Sequence, residues 1–259
     1  SSGIIVILDA ETNQLKWKSN GNFLYEVWTG LYDVCIADVD KDGNNEIVIG
    51  AGQTYTGEIW IIDGKNHTIK SNHIFSSPSL SEFYSLTVDD VDNDGQKELI
   101  TVSSSALYVI NPTDWSVKWS VNTGSTYSGT ILRSADVNGD GNKEIIVCKS
   151  SIMIINSTDH SYWKSTETNY TNFDLFDVNN DGITDIVAST SNGHIVVLDG
   201  KTRTSISDFN PETSSIVSVR VYKTGNSIYY IYSSNNKINI YQNDSNCSVS
   251  QSLGNNSGD

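Results

Sequence analysis

The sequence predicts an all-β fold: a β-propeller of four-stranded blades, about five to six of them, in one domain over residues 1–259. Three observations predict it. An acid-rich loop recurs four times, its starts separated by 52, 46 and 41 residues. Each copy runs directly into an apolar, β-branched stretch, as Glu46-Ile47-Val48-Ile49 does. A second motif is interleaved with the first, made of an apolar run, a turn containing Asp or Asn, and another short strand. A period of 40–50 residues holding several short strands reads as propeller blades, because such units bury their apolar faces only by stacking on one another.

The first loop is Asp38-Val39-Asp40-Lys41-Asp42-Gly43-Asn44-Asn45-Glu46, and its counterparts begin at Asp90, Asp136 and Asp177. Side-chain oxygens fall at positions 1, 3 and 5: Asp38, Asp40, Asp42; Asp90, Asp92, Asp94; Asp136, Asn138, Asp140; and Asp177, Asn179, Asp181. Position 6 is always glycine, and position 9 always an acid: Glu46, Glu98, Glu144 and Asp185. Position 7 holds Asn44, Gln96, Asn142 and Ile183, which are unlike one another and would contribute only a backbone carbonyl. Alternate oxygens converging around a sharp glycine turn suit calcium, which takes six to eight oxygen ligands and tolerates irregular geometry. Magnesium would demand a stricter octahedron. A helix–loop–helix site would need glutamate at position 12, where this chain has Ile49, Thr101, Val147 and Ala188. The loops are therefore expected to hold about four Ca²⁺ ions between paired strands. One such turn alone reads equally well as a solvated hairpin tip, since Asp, Asn and Gly are ordinary turn residues. Four copies with one spacing of oxygens favour the metal.

Composition agrees with short strands and many turns. Apolar residues make up 37% of the 259, and the formal charge is −15, which argues against nucleic acid as a partner. Fourteen of the 31 acids lie in the four loops, and four calcium ions would bring the charge to about −7. No apolar run reaches the length of a membrane span. The chain opens directly on strand-like Gly3-Ile4-Ile5-Val6-Ile7-Leu8 rather than a leader pattern, and is expected to be a mature or excised portion of something larger. Cys35, Cys148 and Cys247 lack metal spacing. Cys35 and Cys148 lie in apolar stretches and are expected to be buried thiols.

Taken in order, residues 3–19 form an extra hairpin, the last two strands of a blade. The first full blade spans 34–75, with strands near 34–37, 46–50, 58–62 and 68–75. Others follow at 85–121, 131–165, 173–206 and 216–243. The loop between the first two strands of the fifth, Lys223-Thr224-Gly225-Asn226-Ser227, has no acid and is expected to be a plain hairpin. Residues 248–259 read as a polar tail. Closure stays open among five blades with an extra hairpin, six with one incomplete, and an arc of a larger ring.

The Asp-x-Asp/Asn-x-Asp-Gly-x-x-Glu/Asp loops followed by Ile-Val resemble FG-GAP/VCBS repeats, the calcium-binding blades of integrin α-chain propellers. The interleaved strand motif is similar to quinoprotein-like blades. The two patterns cover residues 3–241, and the resemblance implies a propeller with calcium in the hairpin loops. It departs from the family in the fifth blade and in lacking a Phe-Gly…Gly-Ala-Pro signature. The family includes adhesion modules, polysaccharide lyases and surface scaffolds, so function rests on the site.

No nucleophile elbow, zinc cluster or phosphate loop is present. His67, His73, His160 and His194 lie in dissimilar contexts, and surface histidine is the plain reading. The paired carboxylates are the calcium ligands themselves. The expectation is a non-enzymatic module, with a calcium-dependent polysaccharide lyase as the alternative. Six sequons begin at Asn66, Asn156, Asn169, Asn243, Asn246 and Asn255, and with the calcium loops they point to an extracellular or cell-surface setting. Trp17, Trp119 and Trp163 recur at equivalent places and are expected to pack between blades. Tyr25, Trp28, Tyr55, Tyr84 and Tyr127 fall in variable connections, where binding residues gather. They are the contact candidates for a protein or glycan partner, or for self-assembly.

Overall fold

The computed structural model describes residues 4–19, 30–53, 56–76, 80–127, 129–244 and 247–253. Tyr25, Trp28, Tyr55, Asn246 and Asn255 lie outside them. No α-helix occurs among the described residues, and no helix is long and apolar enough to cross a membrane.

The order is a two-stranded hairpin followed by five four-stranded antiparallel sheets. The hairpin pairs β1 (Val6–Leu8) with β2 (Leu15–Lys18). The first sheet holds β3 (Gly30–Ala37), β4 (Glu46–Gln53), β5 (Thr56–Asp63) and β6 (Ile69–Phe75). The second holds β7 (Ser85–Asp89), β8 (Glu98–Val102), β9 (Ala106–Ile110) and β10 (Val117–Asn122). The third holds β11 (Ile131–Ala135), β12 (Glu144–Cys148), β13 (Ile152–Asn156) and β14 (Tyr162–Lys164). The fourth holds β15 (Tyr170–Phe176), β16 (Asp185–Thr190), β17 (Ile195–Leu198) and β18 (Ser205–Phe209). The fifth holds β19 (Ile216–Thr224), β20 (Ser227–Ser234), β21 (Lys237–Asp244) and β22 (Cys247–Leu253). Each strand pairs with the next in sequence, so every sheet is a meander of local hairpins.

Several differences from the sequence reading concern ends, among them the start of the first sheet at Gly30 rather than 34 and the end of the fourth at Phe209 rather than 206. The last sheet continues past residue 243, and 247–253 pairs along β21 as a fourth strand rather than forming part of a tail. An outer strand is held by backbone hydrogen bonds, so its polar sequence, Cys-Ser-Val-Ser-Gln-Ser-Leu, hid it from an apolar pattern search. The fourth sheet begins at Tyr170, three residues before Phe173, because a register irregularity between Tyr170 and Asn172 extends the pairing.

The chain divides into two compact units, one of Ser1–Asp90 with Gly95–Thr130 and one of Val91–Asp94 with Ile131–Asp259. Burial explains the strand sequences in both. The second strands β8, β12 and β16 are buried at every position, which is why an unbroken apolar stretch follows the acid at the start of each, Leu99-Ile100, Ile145-Ile146-Val147-Cys148 and Ile186-Val187-Ala188. The outer strands β10 and β14 alternate exposed with half-buried residues. In the first unit, Ile47 and Ile49 pack with Ile5 and Ile7 of the hairpin, while Val48 joins Leu86, Leu99 and Ile110 of the second sheet. In the second unit, Ile186 and Ala188 pack with Ile146 and Phe173, whereas Val187 turns to Ile216, Val219, Tyr230 and Tyr232. Alternate residues of one central strand thus feed the cores on its two faces, as the period of 2 requires.

Polar links tie neighbouring sheets as well. Asp33 on β3 accepts hydrogen bonds from the Ser85 hydroxyl at 2.7 Å and the Leu86 amide at 2.9 Å. Asp174 on β15 accepts one from the Val221 amide at 2.9 Å. Trp17 stacks on His67 with ring centroids 4.7 Å apart, the packing between repeats expected of that tryptophan.

Candidate metal centres

Each acid-rich loop joins the first strand of its sheet to the second. Its conformation is dictated by two left-handed residues. Position 6 is Gly43, Gly95, Gly141 or Gly182, with φ between +83° and +89°, where a side chain would be strained. Position 4 is left-handed too, at Lys41, Asn93, Gly139 and Asn180. The glycine at position 6 announced itself in the sequence, whereas position 4 did not, because Asn tolerates this region and Lys41 simply bears its cost.

The same hydrogen bonds recur in the copies. The glycine amide at position 6 donates to the aspartate at position 1, from Gly43 to Asp38, Gly95 to Asp90, Gly141 to Asp136 and Gly182 to Asp177, at 2.9–3.0 Å. The acid at position 9 is fully buried as Glu46, Glu144 or Asp185, and Glu98 is nearly so. It turns back to accept the amide of position 2: Val39 to Glu46 at 2.9 Å, Val137 to Glu144 at 3.1 Å and Val178 to Asp185 at 3.0 Å. Position 7 donates its amide to position 5, as Asn44 does to Asp42, Asn142 to Asp140 and Ile183 to Asp181, each at 2.8 Å. The Asn44 and Asn142 side chains also donate to that aspartate.

In the first two loops the carboxylates converge. Oxygens of Asp38, Asp40 and Asp42 lie within 4.8 Å of one another, as do those of Asp90, Asp92 and Asp94. Asp38 Oδ1 and Asp90 Oδ1 are buried and accept no hydrogen bond among the described residues. A buried carboxylate oxygen without a donor is costly, and a cation at the focus of each loop would satisfy it. The donor set fits a hard divalent ion. The third and fourth loops gather fewer charges, because Asn138 and Asn179 replace an acid. Asn138 fills the gap with its amide, donating to Asp140 at 3.0 Å and Glu144 at 2.8 Å, and Asn179 donates to Asp181 at 3.1 Å.

The structure adds two lysines that the loop pattern missed. Lys70, in the register irregularity of β6, places its ammonium 2.8 Å from Asp40, 3.1 Å from Asp42 and 2.8 Å from Glu46. Lys118, at the matching irregularity of β10, lies 3.0 Å from Glu98. The only sequence signal was a lysine at the second residue of both strands. Hydrogen bonds to Asp40, then Glu46, hold the Lys70 ammonium far above its usual pKa. The amide of Asn44, then Lys70, keeps Asp42 below the usual carboxylate range. In the third loop burial pushes Glu144 up to about 7, opposed mainly by the Val137 amide, and burial raises Asp185 in the fourth. A positive charge beside either acid would favour its ionised form.

The other expected site residues are dispersed. The Tyr84 hydroxyl donates to Glu82 at 2.7 Å and its ring packs edge-on against Tyr32, whereas Tyr127 is half exposed. Asn66 is exposed in a turn, while Asn156 and Asn169 are half-buried and Asn243 lies on β21. Cys35 and Cys148 are free thiols, and burial pushes Cys148 up to about 12. His73 stacks on Trp115, His194 Nδ1 lies 2.6 Å from Asp208 Oδ1, and His67 stacks on Trp17, so these three histidines are structurally engaged where the sequence suggested plain surface residues.

Residues 38–101 and 90–147 match an FG-GAP-like repeat. No curated protein matches the chain. Among solved structures it is similar to the Vibrio cholerae biofilm matrix protein Bap1, with a TM-score of 0.59 and 17% identity, over 83% of this chain and 38% of that one. The chain thus spans well under half the length of that neighbour. It is also similar to a chain in the crystal structure of the mitotic checkpoint complex, with a TM-score of 0.66 and 11% identity, over 96% of this chain and 73% of that one. At these identities the likeness is one of fold.

Proposed function

We propose that the chain is a non-enzymatic, calcium-stabilised propeller module that works at a cell surface or in an extracellular matrix, as an adhesion or assembly scaffold. The observation that carries this reading is the repeated loop, in which Asp38 and Asp90 belong to clusters of carboxylates and each has a buried, donor-less oxygen among the described residues. Calcium would be held by positions 1, 3 and 5 and by the acid at position 9, with the carbonyl of position 7 completing the set. Its chemistry there is charge neutralisation: it relieves carboxylate repulsion and locks the first hairpin of each of the four sheets that carry an acid-rich loop. Extracellular calcium sites work at Kd values of about 10⁻⁴–10⁻³ M, which suits an ion that is abundant outside cells. Likeness in fold to a biofilm matrix protein supports an assembly role. The partner is a protein or glycan, or another copy of the chain.

Retention of chain-coated beads on matrix or cell surfaces, in about 2 mM calcium and in chelator, tests this. Calcium-dependent retention is expected. Equal retention in chelator, or release of unsaturated products from an acidic polysaccharide by the purified chain, would overturn the reading, the latter in favour of a lyase.

A further inference from the structure

The packing of Trp17 on His67 is not repeated at an equivalent place in the second unit. Trp17 pairs with Ile7 on its neighbouring strand, and Trp163 pairs with Ile154 in the same way, so the two tryptophans hold equivalent positions. His67 and Arg203 are equivalent too. Each is left-handed, at φ +60° and +62°, and each donates its amide to the carbonyl four residues back. At the first location the rings close on each other, 4.7 Å between centroids and 22° between planes. At the second, Trp163 and Arg203 instead line a cleft of about 370 Å³ beside the third and fourth sheets.

The walls of this cleft carry both kinds of hydrogen-bonding group. Arg203 and Asn192 offer donors, Glu167 and Asp208 offer acceptors, and His194 bridges the two classes through its 2.6 Å bond to Asp208. The Arg203 guanidinium forms no hydrogen bond or ion pair among the described residues. Trp163 brings an aromatic surface, with Val196 and Leu198 behind it. One cation set against two carboxylates gives no net attraction for an anion. A ring with an apolar face and a rim of hydroxyls, each both donor and acceptor, matches this mixture.

We propose that the cleft beside Trp163 and Arg203 binds an uncharged sugar residue of a glycan, which takes the place of the ring stack found at the equivalent Trp17–His67 position. The volume falls in the range of small-molecule sites, which combine an apolar floor with a few polar groups that fix orientation. Trp163 would carry the sugar's apolar face. Arg203 and Asp208 would bind adjacent hydroxyls. The proposal names a ligand class for the adhesion reading and rests on it only for its biological setting.

Isothermal titration of the full chain in calcium, against neutral hexose and N-acetylhexosamine oligosaccharides and against trigalacturonate, tests it. A neutral oligosaccharide is expected to bind, with affinity falling about tenfold in Trp163→Ala and about fivefold in Arg203→Met. The Arg203 side chain makes no hydrogen bond among the described residues, and its backbone bond to Asp199 survives in the variant, so Arg203→Met keeps the test meaningful if Trp163→Ala unfolds. Binding of trigalacturonate alone, affinity unchanged in both variants, or no binding by any of these sugars would overturn the proposal. Metal content and Tm, measured on the same samples, separate this failure from failure of the calcium loops.

Discussion

At the residue scale, the acid at position 9 and its neighbours decide how each loop behaves. Glu46 is buried, yet it meets the Lys70 ammonium, so the first loop has a positive charge of its own. A cation entering this loop competes with Lys70 for Asp40, Asp42 and Glu46. Lys70→Met is therefore expected to lower Tm in chelator by about 3 °C, the size of a loss near 1 kcal/mol in a chain of this length. The same change should tighten calcium binding at that loop. Thermal scans and calcium titration of the variant check both, and unchanged values would show the lysine to be a bystander. Cys148 gives a pH test. Burial raises its thiol from 9.0 to about 12 in the folded chain, so the native state favours the protonated form. That contribution is complete below pH 9 and is lost as pH rises toward 12. Alkylation of Cys148 at pH 8 should be negligible until the chain is unfolded, as mass spectrometry of the labelled peptide will show. The carboxylate spacing was plain in the sequence, but Lys70 was not. It reaches the loop from 24 residues beyond Glu46, a relation that only strand pairing creates.

At the scale of the element, most of the fold was legible. Apolar runs marked the inner strands because those are buried on both faces, and Gly at position 6 marked the hairpin loops. Strand β22 was not legible, since an outer strand owes its place to backbone bonds rather than to an apolar pattern. Trp17 packs between repeats as its recurrence suggested, whereas Trp163 lines a cleft that depends on Arg203 standing where His67 stands in the first sheet. No periodicity reveals that exchange. The five sheets should also differ in their need for metal. The fifth sheet turns from Thr224 to Ser227 through a tight hairpin with Gly225 at φ +57° and has no acid in the turn. Chelator should speed hydrogen exchange in β3–β4 and β15–β16 while leaving β19–β20 unchanged. Equal acceleration in all three would mean that the loops do not bind independently. Asp181→Asn removes a central charge from the fourth loop and should lower bound calcium by about one ion per chain, a change that metal analysis reads directly.

At the scale of the whole molecule, calcium is proposed to contribute a large share of stability. A site filled at ten times its Kd adds about 1.4 kcal/mol by mass action, and four would add about 6 kcal/mol. That is comparable to the total stability of many domains. It would also reduce a formal charge of −15 by about half, easing self-repulsion across a chain whose acids cluster in four places. The measurement that tests this account most directly is thermal unfolding in excess calcium and in chelator, with metal content measured on the same sample. About four calcium ions per chain and a fall in Tm of about 10 °C or more on chelation are expected. An unchanged Tm with no bound metal would contradict the account, leaving the four loops as acidic turns.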